Sequence, residues 1–508
     1  MKIANLPKPR KTIGLITVIF TVGRVFVTAQ TNAVTKEEIE RLRGELNRLT
    51  QEMQLTLRTY QERINQLESA IRTLEGGAMS SNQPTAQLAE IQSTGSKTNL
   101  AVSPTGDTTR VQYSWGRGYI GLSLEVASVF GWSTTSEVAE LNPGAHNPKR
   151  RGFTLQNVEV ALEGAVDPYF QGTGIFSTHT DPHGEFHFEW EEAYAETFSI
   201  PGGFQLKAGK FLTEFGRQNS THSHQWDFVD VPLVLSRLLG PHGLNAVGMR
   251  VSWLAPTPFY SELFFTVQDS RGDGAYSFLG ESESPLFLGR PRTHRDLRGF
   301  GDLLFVPRYA VSFDLTDSHT VLLGASAAFG PNNAGYGTRT EIYGVDLTWK
   351  WKPRTHHGGY PFVRFTTEAL FRRAKVDEFS NDLNGNGTLD PTEDDVFGTG
   401  HVYNIPSETV KDWGLYTQVS WGFKKGWVAS LRGEYVGPVE TARYESILGP
   451  DPERVKRWRI SPSLTHYLSE FSLLRLQYNY DDRKHLGEDH SVWFQLEFSL
   501  GEHGAHKF

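Results

Sequence analysis

The residues of this 508-residue chain that are best placed to do chemistry are oxygen donors set at fixed intervals. In Asn381 to Asp395, NDLNGNGTLDPTEDD, the residues Asp382, Asn384, Asn386, Thr388 (through its carbonyl), Asp390 and Glu393 fill the ligand positions of a calcium loop, and Gly387 stands at its sharp turn. The flanking segments RRAKVDEFS and DVFGTGHVY lack the 3.6-residue period of helices. The expectation is therefore a single structural Ca2+ loop that staples an excursion over 376–412, not a paired sensor. An acidic Asn/Gly turn that binds nothing is the plainer alternative.

Imidazoles form a second group. HTDPHGEFHFEWEE carries His179, His183 and His187 among Asp181, Glu185, Glu189, Glu191 and Glu192, and THSHQWD carries His222 and His224 before Asp227. Imidazole with carboxylate suits Zn2+ or a similar borderline cation. On a strand, His222 and His224 would share a face about 7 Å apart, within reach of one ion. His179 and His183 would stand about 13 Å apart on a strand and could share an ion only if Pro182 and Gly184 bend the segment. The tail pair His503 and His506 is a weaker candidate, and solvated histidines on a pore rim are the alternative for all of them. No nucleophile elbow or ordered triad accompanies these residues, so no enzyme is expected.

The elements that must position these groups read as strands. In GWVASLRGEYVGP, Trp427, Ala429, Leu431, Gly433 and Tyr435 alternate with Val428, Ser430, Arg432 and Glu434. The same period runs through LLRLQYNY and VWFQLEFSL. A soluble sandwich would alternate in this way too. Aromatics at strand ends, and charges such as Glu159, Glu163, Lys207, Arg432 and Arg475 on the opposing faces, instead point to an all-β transmembrane antiparallel barrel around a polar lumen. At about 25 residues per strand and connection, the 110–508 region predicts an even number of strands, about 14–18. Closure also disposes of sheet edges, which cannot face lipid.

The N-terminal region reads differently. Lys2, Lys8, Arg10 and Lys11 precede an apolar run ending in Val27-Thr28-Ala29, the pattern of an export signal over 1–29. Over 35–75, apolar residues from Ile39 to Leu74 step by three and four with one stutter at Met53, which predicts an α-helical coiled coil. A narrow seam of that length needs a partner chain, so a homo-oligomer is expected, with a trimer as the first guess. Residues 76–109, rich in Ser, Thr, Gly and Gln, read as a flexible linker.

The chain has no cysteine, so an exported fold must be held without disulfides. A net charge of -8 excludes the basic footprint of a nucleic-acid binder.

The runs GFTLQNVEVALEGAVDPYFQGTGIF, EEAYAETFSIPGGFQLKAGKFLTEFGRQNSTHSHQWDFVDVPLVLSRLLGPHGLNAVGMRVSWLAPTPFYSELFFTVQ, DLLFVPRYAVSFDLTDSHTVLLGASAAFGPN and FSLGEHGAHKF resemble a group of plugless porin-like bacterial outer-membrane barrels, often labelled zinc-regulated TonB-dependent outer-membrane receptors. The resemblance covers most of Arg151 to Phe508. It implies a bacterial outer-membrane barrel in contact with lipid and linked to metal ions.

The coiled coil and linker leave no room for a folded plug between leader and barrel. The expected function is passive passage of small hydrophilic solutes, with metal cations such as zinc among them, and the coiled coil lying in the periplasm. The alternatives are an energy-coupled, metal-linked receptor and a structural anchor between outer membrane and cell wall.

Overall fold

A computed structural model describes residues 100–101, 111–115, 118–165, 167–198, 200–282, 284–390 and 395–501. The expected leader, the coiled coil, most of the linker, the tail pair His503 and His506, and Glu393 lie outside these residues. Within the expected linker, Leu100 and Ala101 pair with Tyr113 and Gln112 of Val111–Trp115.

Alternation of side chains along extended segments builds one antiparallel sheet. Its strands are β1 (Gly118–Ser133), β2 (Gly152–Ala165), β3 (Phe170–Thr180), β4 (Phe186–Thr197), β5 (Phe204–Leu212), β6 (Asn245–Leu254), β7 (Tyr260–Gln268) and β8 (Leu304–Thr316). They continue as β9 (His319–Pro331), β10 (Arg339–Trp351), β11 (Phe362–Val376), β12 (Glu408–Lys424), β13 (Trp427–Pro438), β14 (Arg457–Ser469), β15 (Ser472–Arg483) and β16 (Gly487–Leu500). Each pairs with the next, and β16 returns to β1 over Ser491↔Ser133 to Leu500↔Leu124, which closes the sheet. The sheet counts eighteen strands, and setting aside the two short N-terminal ones leaves a sixteen-strand closed barrel, inside the expected range.

The barrel is inverted relative to a soluble protein. Along β16, Ser491, Trp493, Gln495, Glu497 and Ser499 are buried while Val492, Phe494, Leu496, Phe498 and Leu500 are exposed. The polar set faces inward and the apolar set outward, as a lipid-facing wall requires. Glu159, Lys207, Arg432 and Arg475 are buried inside, in line with the sequence reading.

Short turns gather at one end. Three of them have two residues each, Asp317–Ser318, Lys425–Gly426 and Glu470–Phe471, and Gly426 takes φ 77° between β12 and β13. The long connections, 134–151, 213–244, 269–303, 377–407 and 439–456, gather at the other. The excursion expected over 376–412 is the connection 377–407.

The interior is not simply an aqueous lumen lined by charge. The connection 213–244 turns into the barrel, and its helix Leu233–Leu238 buries Leu233, Val234, Leu235 and Leu238 against Leu304, Val306, Ile342, Leu370, Tyr416 and Val436 of the inner wall. A second apolar cluster, which includes Phe287, Leu288, Ala334, Val376, Ile405 and Tyr444, packs the long connections together above the same side. These buried apolar faces exclude water, so the β8 to β13 side of the lumen is filled.

Candidate functional site

The inward loop is held by opposite charges on opposite walls. On one side the Arg432 guanidinium donates to Asp230 at 2.6 Å, and Arg459 donates to its other oxygen. Arg364 pairs with Asp227, and Arg475 donates to the Trp226 carbonyl at 2.7 Å. Loop amides donate outward as well: Val229 N–H to Gln477 at 2.8 Å and Leu233 N–H to Glu434 at 2.6 Å. These bonds satisfy backbone groups that burial would otherwise orphan.

On the other side the loop presents His222 and His224 to carboxylates. His224 Nδ1 lies 2.6 Å from Glu125 and 3.8 Å from Glu159. His222 lies 3.0 Å from Glu192, 3.4 Å from Glu159 and 3.6 Å from Glu191. The two rings stack with centroids 5.7 Å apart. They are not strand residues sharing a pleated face, as the sequence reading supposed, because His222 precedes a short 3-10 turn, Ser223–Gln225, in the inward loop. The structure still brings them together.

The carboxylates they meet owe their aim to a break in register. Ile175 pairs with Glu192 and Phe176 with Trp190, so Glu191 is an extra residue on β4. Such a bulge redirects side chains, and here both Glu191 and Glu192 are buried on the inner side.

Glu191 links this cluster to a second one nearer the long-loop end. His146, in the β1–β2 connection, has Nε2 3.8 Å from both Glu189 and Glu191. His179 Nδ1 is 3.8 Å from Glu189, and His242 Nδ1, from the end of the inward loop, is 3.4 Å from its other oxygen. Of the expected histidines, His179 therefore joins this cluster. His187 faces His179 across the β3–β4 register and stacks on it at 5.8 Å, but its own ring nitrogen goes to Asp181 at 3.4 Å. Pro182 and Gly184 do lie in a turn, yet that turn directs the His183 amide to Asp181 and His183 takes no place in the potential ligand groups among the described residues. His146, His242 and Glu125 escaped the sequence reading, since each stands alone in its segment.

Below the inward loop, toward the short turns, opens a cavity of about 710 Å³. Glu125, Glu159, Glu163, Glu192, Glu196, Glu214 and Glu262 line it against Lys207, Arg217, Arg250, Arg308 and the imidazoles of His222 and His224, seven acids to six bases.

The calcium-loop residues lie in the 377–407 connection. The Asp382 carboxylate accepts N–H groups of Gly385 at 2.7 Å, Asn386 at 3.1 Å and Gly387 at 2.8 Å. Gly385 and Gly387 take φ 70° and 78°, which turns the chain around that carboxylate. The side-chain amides of Asn384 and Asn386 donate to Asp390 at 2.7 and 2.9 Å, and Glu393 lies outside the described residues.

No protein-family model matches the chain, so the TonB-dependent receptor label gains no support. An uncharacterized protein of Aquifex aeolicus (strain VF5) is 32% identical over 409 residues, spanning 76% of this chain and 75% of that one. The chain belongs to the family of that protein. Among solved structures, the outer membrane channel DcaP of Acinetobacter baumannii gives a TM-score of 0.45 at 11% identity, covering 75% of this chain and 97% of that one. The anion-selective porin from Comamonas acidovorans gives 0.44 at 10% identity, covering 75% and 100%. Pseudomonas putida OprB gives 0.44 at 9% identity, covering 75% and 94%. The sixteen-strand closure itself is set by the hydrogen-bond register of this chain.

Proposed function

We propose that this protein is a bacterial outer-membrane channel through which small hydrophilic solutes, metal cations among them, pass by diffusion. One observation carries the reading. A closed barrel with an apolar exterior encloses a polar cavity bordered by the inward loop, and its lining holds seven carboxylates, a narrow majority over six basic side chains. Low-dielectric walls focus the field of that acidic majority and raise the local concentration of cations.

The experiment is conductance of the purified full chain in planar bilayers, with the reversal potential taken under a salt gradient. Stable open channels with a cation preference are expected. A silent bilayer would remove the channel reading and favour an energy-coupled receptor or an anchoring role, whereas an anion preference would remove the solute assignment.

Two accessory proposals accompany this reading. The loop built on Asp382, Asn384, Asn386, Thr388, Asp390 and Glu393 binds Ca2+, whose charge would neutralise clustered carboxylates and order the 377–407 connection outside the membrane. The heptad segment before the barrel joins copies of the chain into a trimer in the periplasm. The tight turn around the Asp382 carboxylate and the spacing of the oxygen-bearing residues support the first, and the apolar seam in the sequence supports the second.

A further inference from the structure

The two histidine–carboxylate clusters differ in a way that assigns them different work. Around His222 and His224 the shortest approaches, 2.6 Å to Glu125 and 3.0 Å to Glu192, are direct hydrogen-bond lengths. An ion seated between two such atoms would have to push them apart. Around Glu189 the spacing is wider. His146 and His179 each stand 3.8 Å from one oxygen, and His242 stands 3.4 Å from the other. Zinc bonds of about 2.0–2.2 Å in a tetrahedron place neighbouring ligand atoms about 3.4 Å apart. The donor atoms of His146, His179 and Glu189 all fall within 4.8 Å of one another, so each imidazole nitrogen is about 0.4 Å from that spacing to Glu189 and the two rings need to close on each other by at most about 1.4 Å.

The surroundings orient these donors. His146 Nδ1 is 3.4 Å from the Gln156 carbonyl, and the tautomer that donates there leaves the Nε2 lone pair aimed at Glu189. Gln156 in turn donates to the His146 carbonyl at 2.7 Å and to that of Val229, clamping the β1–β2 connection to the inward loop. Metal-binding imidazoles commonly have their other nitrogen held in this way. The buried His179 Nδ1 has no hydrogen-bond partner among the described residues.

We propose that His146, His179 and Glu189, flanked by His242, form a binding site for a divalent transition cation of the zinc class. Three imidazoles with one carboxylate favour such an ion over calcium or magnesium, which prefer all-oxygen shells. The ligands come from β3, β4, the β1–β2 connection and the inward loop, so an ion bound here ties the constriction to the wall. Exposure falls from His242, with 25% of its side chain accessible, through Glu189 at 19% to His146 at 9%, so an ion arriving from the long-loop end would meet the flanking ring first. Glu191, shared by His146 and His222, lies on the route inward. The proposal rests on the channel reading only for the way the ion arrives.

The test is calorimetric titration of the purified full chain with ZnCl2 in detergent, in buffer containing Ca2+ so that the Asp382 loop is saturated. One ion per chain is expected. His146→Ala and the near-isosteric Glu189→Gln should each weaken binding by at least about tenfold, the loss that disturbing even an outer-shell partner brings. His183→Ala should bind as the parent does. Should His146→Ala fail to fold, Glu189→Gln alone decides. Zinc affinity indifferent to Glu189→Gln, or no stoichiometric binding, would overturn the site. Bilayer recordings on the same preparations separate the two claims. Zinc binding without conductance keeps the site and removes the channel, while conductance with substitution-insensitive zinc affinity does the reverse.

Discussion

His224 Nδ1 lies 2.6 Å from Glu125 Oε2, which ties the inward loop to the first strand of the barrel. Six residues further along the loop, Asp230 accepts Arg432 from the opposite wall at 2.6 Å. The loop thus carries a basic end to an acidic wall and an acidic end to a basic wall. This pairing of signs fixes its direction across the lumen as well as its presence there.

Asp230→Ala would leave Arg432 and Arg459 without their shared partner in a buried site. Removing one partner of such a pair costs about 3–5 kcal/mol. The inward loop should loosen, with larger and noisier single-channel conductance and new protease cleavage within 213–244. A variant with parental conductance and cleavage would show that these pairs do not hold the loop.

The other anchor should respond to pH. Burial works to lower the His224 pKa, but hydrogen bonds and charge from Glu125 and Glu159 outweigh it and raise the value from 6.5 to about 10. Glu497 and the stacked His222 also face this ring. The folded protein holds the proton more tightly than the unfolded chain does. The stabilisation is therefore complete below pH 6.5 and is lost as pH rises through about 10. Thermal midpoints in detergent should fall across that window, and His224→Gln should flatten the fall. A parental curve that is level over the window would refute the anchor.

The lipid-facing wall makes a third expectation. Leu476, mid-way along β15, is exposed, while its neighbours Arg475 and Gln477 are buried inside. Leu476→Arg should cost about 2–4 kcal/mol of folding free energy in lipid vesicles, the range for a cation at the bilayer midplane. Equal stability in urea titrations of the two proteins would place that face away from the hydrocarbon.

Calcium should protect the 376–412 region from protease. Asp382→Ala removes the carboxylate around which Gly385, Asn386 and Gly387 turn, and Glu393→Ala removes the ligand expected to close the shell. Each should abolish the calcium dependence of cleavage. Protection that survives both substitutions would reduce the motif to an ordinary turn.

The strand faces were legible in the residues alone because the two-residue period is local. Trp427 to Glu434 and Val492 to Leu500 sort into lipid and lumen sets without knowledge of any neighbour, and a wall that must close in lipid follows from them. The spacing from Asp382 to Glu393 is legible for the same reason, since a single turn carries all its donors. Tertiary structure alone decided which connection enters the lumen, because the run PLVLSRLL finds its burial against Leu304, Ile342 and Leu370 on distant strands. It also decided that His146 and His242 stand beside Glu189, and that His222 and His224 meet Glu125 and Glu159. Those neighbours arise from strand register, the extra residue at Glu191 and a loop folded back into the barrel, none of which leaves a periodic trace in the chain.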